Sequence, residues 1–68
     1  MKTNYVVTFR NEFGTTAQVK VFTLYGMVAA IELATAEIEK SNAMPEDTRK
    51  YPYLCNYAVV KAEYKVEY

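Results

Sequence analysis

The chain has no histidine, one cysteine and two glycines among its 68 residues. Each scarcity removes a class of chemistry. Cys55 has no imidazole to activate it as a nucleophile. A single thiol makes no internal disulfide, and without histidine it cannot supply the usual ligand sets of zinc or iron–sulfur centres. Gly14 and Gly26 stand alone, so there is no glycine-rich loop to cradle a phosphate. General acid–base work would fall to carboxylates held in a cleft, and those here read as solvated charges on a helix, a loop and a strand face. The expectation is a protein that is not an enzyme and uses no cofactor or metal. Cys55 reads as a small, half-buried thiol at the start of a strand.

An excess of charge of one sign is also missing, since eight Lys plus Arg balance eight Asp plus Glu. This balance argues against affinity that rests on wrapping nucleic acid or an anionic membrane. No run approaches the roughly 20 apolar residues of a membrane span. The opening MKTNYVVTF lacks the apolar run of a signal peptide, and with an unpaired thiol this gives a cytoplasmic expectation. A chain of 68 residues reads as one domain, 1–68, near the lower limit for a self-sufficient core. Domains of this size often add a disulfide, a metal or a second subunit. With the first two removed, oligomerisation is the supplement to look for.

What is present is strong periodicity. Residues 3–10, TNYVVTFR, are β-branched and aromatic and read as a strand with Tyr5, Val7 and Phe9 on one face. NEFG supplies turn chemistry, and TTAQVKVF (15–22) alternates again, with Ala17, Val19 and Val21 on one side and Gln18, Lys20 and Phe22 on the other. The period then becomes helical. Thr23 reads as the N-cap of a helix over 24–42, with Leu24, Met27, Val28, Ile31, Ala34, Thr35 and Ile38 as its apolar stripe and Asn42 and Pro45 as stops. After a charged connection with both prolines, NYAVVKAEYKVEY alternates once more, placing Ala58, Val60, Ala62, Tyr64 and Val66 on one face and Tyr57, Val59, Lys61, Glu63, Lys65 and Glu67 on the other. A right-handed crossover lays the last strand beside the first. The predicted fold is therefore α+β: a ββαβ unit with a three-stranded antiparallel sheet, order 2-1-3, and one helix on one face.

This arrangement leaves the reverse of the sheet wet, with Arg10, Lys20, Lys61 and Lys65 interleaved with Phe22 and Tyr57. Such a face reads as an ordinary solvated or self-associating surface, as a docking surface for a protein partner, or as one that binds single-stranded nucleic acid by stacking and phosphate contacts. Five tyrosines fall in residues 51–68. Tyr5 and Tyr64 read as core, and Tyr68 could go either way. Tyr51 and Tyr53 bracket Pro52 in a loop, where they act either as loop anchors or as recognition contacts, because tyrosine gives large contact area at low entropic cost. The partner-binding set is therefore Tyr51, Tyr53, Tyr57, Arg10, Lys20, Phe22, Lys61 and Lys65. The third strand lies on an edge, where it can pair with a second copy to give a homodimer or larger homo-oligomer, and the sheet face offers the same. One anomaly remains on the helix: Ala29, Leu33 and Ala36, with Gly26, form a small apolar strip away from the main stripe.

The layout YVVTFRNEFGTTAQVKVFT, a helix, then YAVVKAEYKVEY resembles a class of small phage and prophage proteins with a strand–strand–helix–strand core, among them several anti-CRISPR proteins and other inhibitors of host defence. The resemblance covers nearly the whole chain and is one of pattern, carrying no individual functional residue. It implies action without catalysis in a host cytoplasm. A compact domain would occupy the surface of a host protein, or of a host protein–nucleic-acid complex, as an inhibitor or adaptor.

Overall fold

Alternation of apolar and polar residues resolves into three strands, and the helical period into one helix. In the computed structural model residues 3–67 are described, with side chains described through residue 65. The elements are β1 (Thr3–Arg10), β2 (Thr16–Val21), α1 (Met27–Asn42) and β3 (Ala58–Glu67). The strands form one antiparallel sheet, β2-β1-β3, with β1 in the centre. The α+β, ββαβ arrangement expected from the sequence is the one observed.

The hairpin turn is organised by Asn11. Its side-chain oxygen accepts the backbone N–H groups of Phe13 (3.0 Å) and Thr15 (2.9 Å), while Gly14 takes a φ of +83°. The core lies between one sheet face and the helix. Val7, Phe9, Ala17 and Val19 come from the sheet, Ala34 and Ile38 from α1, and Leu54 from the long connection. Leu54 was not among the residues expected inside. Val66 was, but its side chain lies outside the described part, as does Tyr68.

Three expectations are corrected. First, α1 starts at Met27 rather than at residue 24. Gly26 precedes it with φ +96° and ψ −175°, a backbone state open to glycine. Thr23 does accept an N–H on its hydroxyl, from Tyr25 at 3.1 Å, but in a turn ahead of the helix. The buried line of α1 is then Ala30, Ala34, Ile38 and Ser41. Leu24 and Val28, expected in the stripe, are 83% and 72% exposed.

Second, β3 carries a bulge. Thr8 pairs with Lys61, whereas the next residue, Phe9, pairs with Val59, so Val60 is extra. An inserted residue reverses the facing of everything beyond it. Tyr57 and Val59 therefore lie on the helix side and Ala58 on the reverse, opposite to expectation. Val60, expected in the core, is half exposed. The Tyr57 ring packs edge-on to Phe9, 5.6 Å between centroids, and its hydroxyl donates to Glu39 Oε1 at 3.2 Å.

Third, the helix does not cover the whole of its sheet face. Tyr5 and Tyr64 stand on that face in edge-to-face contact at 5.2 Å, yet Tyr64 is 63% exposed. On the reverse, the face expected to be wet, Val6 is buried. The register places Lys20 on one side of it and Glu63 on the other, and their aliphatic stems can roof a central-strand valine.

The relocation of Tyr57 has a measurable consequence. Desolvation, then the hydrogen bond to Glu39 and its negative charge, push the phenol above its ordinary value. The neutral phenol is thus favoured by folding. Its contribution is fully present below the unfolded value of about 10 and is lost as pH rises through the folded value. Chemical denaturation between about pH 9 and 11 should show an alkaline decline that is smaller in Tyr57→Phe. Identical declines in the two proteins would contradict the placement.

Candidate interaction surfaces

The expected basic face exists in part. Arg10, Lys20, Lys61 and Lys65 are exposed, and the strand register puts the first three on the sheet's reverse, while Lys65 falls in the register shift between Tyr64 and Glu67. Glu63 stands among them and pairs with Lys61 at 3.4 Å. The aromatic half of the expectation fails. Tyr57 has turned to the helix side, and Phe22 lies just past the end of β2, where it lines a groove against Leu33. None of the described strand residues on the reverse face carries a ring, so the base-stacking platform that open sheets use on single strands is missing there.

The residue 43–57 connection is tied to the end of α1 by side chains that imitate backbone. Asn42 Nδ2 donates to Leu54 O at 2.8 Å, and Leu54 N–H donates to Asn42 Oδ1 at 3.0 Å. Ser41 Oγ does the same with Tyr51, donating to its carbonyl and accepting its N–H, both at 3.0 Å. Arg49 donates from Nε to Ser41 O at 3.2 Å and from a terminal nitrogen to Met44 O at 3.0 Å, occupying carbonyls at the helix end. Tyr51 is consequently a loop anchor: half-buried against the core, with Lys50 over its ring at 5.7 Å. Tyr53 is exposed beneath the Arg49 guanidinium at 5.4 Å. Of the three tyrosines expected to meet a partner, only Tyr53 is presented to one.

A contiguous exposed apolar surface lies elsewhere, at the passage from β2 to α1. Phe22, Leu24, Tyr25, Ala29 and Leu33, with Thr23 and Glu32, line an open groove of about 520 Å³. Leu24 and Tyr25 are 83% and 88% exposed, and Val28 lies on the next turn. Exposed apolar side chains scattered singly are ordinary, but a contiguous set marks an interaction site.

The segment is held in this posture rather than left slack. Asn4 Nδ2 donates to Thr23 O at 2.7 Å, and Thr23 N–H donates to Asn4 Oδ1 at 3.1 Å. Both residues are buried. With Thr23 fixed, its hydroxyl bonded to the Tyr25 N–H, and Gly26 turning the chain through positive φ, residues 24 and 25 are displayed outward before the helix begins. Sequence reasoning found Ala29 and Leu33 as an unexplained strip and missed the rest. The available signal was two large apolar residues directly ahead of a glycine.

Among the described residues no group of three or more His, Cys, Asp or Glu could hold a metal ion, and no helix is long and apolar enough to cross a membrane. No family model matches the chain, and neither a curated protein nor a solved structure matches it.

Proposed function

We propose that this chain is a non-catalytic protein-binding domain that acts by occupying a surface of its partner, and that the β2–α1 groove makes the contact. The single observation behind this reading is the contiguous, rigidly held apolar set of Phe22, Leu24, Tyr25 and Leu33. The groove's lining carries one charge, Glu32. The fitting occupant is a protein segment that inserts apolar side chains and brings a lysine or arginine towards Glu32, because a rim charge selects partner and register more than it adds affinity. The resemblance to small phage inhibitors of host defence supports the same mode of action, with a host protein as the occluded partner and the host cytoplasm as the place. Nucleic-acid binding is the weaker reading, since the reverse face has lost both of its expected rings.

Selection from a random peptide library on the immobilised protein tests this. Enriched peptides should carry apolar anchors next to a basic residue. Leu33→Asp should weaken their binding by about a hundredfold, the scale of losing one buried anchor. Glu32→Lys should keep the apolar anchors and lose the basic preference. No enrichment, or enrichment unchanged in Leu33→Asp, would remove the groove as the contact surface.

A further inference from the structure

β3 has a strand on one side only. Which of its backbone groups face the open side follows from the hairpin. Asn11 N–H donates to Thr15 O at 3.1 Å, so Asn11 and Thr15 form a hydrogen-bonded pair of the β1–β2 ladder. Alternation then turns Phe9, Val7 and Tyr5 towards β2, and Thr8 and Val6 towards β3. Their partners Lys61 and Glu63 turn inward in return. Ala62 and Tyr64 are left presenting N–H and C=O to the free edge. Among the described residues no strand covers that edge, and Tyr64 and Val60 beside it are 63% and 50% exposed.

We infer that the occupant of this edge is a second copy of the same strand, antiparallel, with the two-fold axis at Ala62. Charge narrows the alignment, and the regularity of the strand decides it. An axis at Lys61 sets lysine against lysine, and an axis at Glu63 sets Glu63 against itself and Lys61 against Lys65. An axis at Ala62 places Lys61 opposite Glu63 of the second copy, twice. These are non-hydrogen-bonded positions, where facing side chains come closest. Each chain already holds Lys61 against Glu63 at 3.4 Å, so the dimer completes a square of alternating charges. An axis at Tyr64 would also join opposite charges, Glu63 to Lys65 and Lys61 to Glu67. However, the pairing with β1 is regular from Lys61 to Tyr64 and shifts between there and Glu67, which favours Ala62. That axis brings Tyr64 opposite Val60 of the second copy, so the two exposed apolar residues of the edge shield each other. The result is one six-stranded sheet with β2, and hence the apolar groove, at its two outer margins. The inference does not depend on what the groove binds.

Sedimentation equilibrium of the full chain tests it. The wild type should dimerise. Lys61→Glu and Glu63→Lys should each weaken the dimer about tenfold, and the double swap should restore it, with circular dichroism confirming the fold of every variant. In a Cys55→Ser background, Ala62→Cys should oxidise to a covalent dimer, because paired residues across the axis fall within disulfide reach; Tyr64→Cys should not. A wild type that stays monomeric at millimolar concentration, a double swap without recovery, or cross-linking through residue 64 in place of 62 would overturn the inference. Leu33→Asp should leave the dimer unchanged, so loss of groove binding and loss of dimerisation are separable.

Discussion

Leu54→Ala is expected to leave a large share of the protein unfolded at room temperature. Leu54 is 1% exposed and belongs to the core cluster with Phe9, Ile38 and Val19. Truncating a buried leucine costs about 2–5 kcal/mol, from lost transfer free energy and the cavity left behind. A core this small supplies about 3–5 kcal/mol of net stability. The loss is therefore comparable with the whole. The backbone of Leu54 is also held by Asn42, in both directions, so the connection cannot readily slide to refill the space. Urea denaturation followed by circular dichroism should show no folded baseline for Leu54→Ala, while Leu54→Met, which nearly conserves volume, should cost less than about 1.5 kcal/mol. A loss below about 1 kcal/mol for the alanine variant would mean that the connection does not close the core.

Leu54 shows where sequence reading stops. The sheet order and the helix could be read because periods of two and of about 3.6 survive in the residues themselves. Leu54 is one apolar residue in a segment with two prolines, so it has no period to betray it. The β3 bulge was hidden for a different reason. Around Val60 both sets, Ala58 and Val60 against Tyr57 and Val59, are apolar. A one-residue slip therefore changes little in the pattern, and the register is weakly specified by sequence. That slip is what carried Tyr57 from the wet face to the core side. The helix start is not legible in the pattern because Leu24 continues the apolar period, whereas Gly26 ends it through backbone conformation. As for the groove, Leu33 and Ala29 could be seen as out of place. What they faced could not, because the clamp that presents Leu24 and Tyr25 joins residues nineteen apart in sequence.

That clamp gives the second large effect. Asn4→Ala leaves the Thr23 N–H and C=O buried without their partners, at about 1–3 kcal/mol each, and should release the segment that shapes the groove. Asn4→Asp separates the two bonds. An ionised carboxylate can still accept from the Thr23 N–H, but it meets the Thr23 carbonyl with no proton to donate. A protonated carboxyl can make both bonds, as the amide does. Folding therefore favours the proton and raises this carboxyl above its unfolded value of about 3.9. The stabilisation is fully present below that value and is lost as pH rises through the higher folded one. The gap in stability between Asn4→Asp and wild type should be small near pH 3 and widest at neutral pH, where the variant should be at least as unstable as Asn4→Ala. Taking the difference from wild type at each pH removes the titration common to the other carboxylates. Tyr25 backbone amide exchange, followed by NMR, should accelerate in step with that gap, since the Tyr25 N–H is held by Thr23 Oγ1 at 3.1 Å. A difference that stays flat with pH would show that Asn4 is not donating to Thr23, and that the groove is shaped without it.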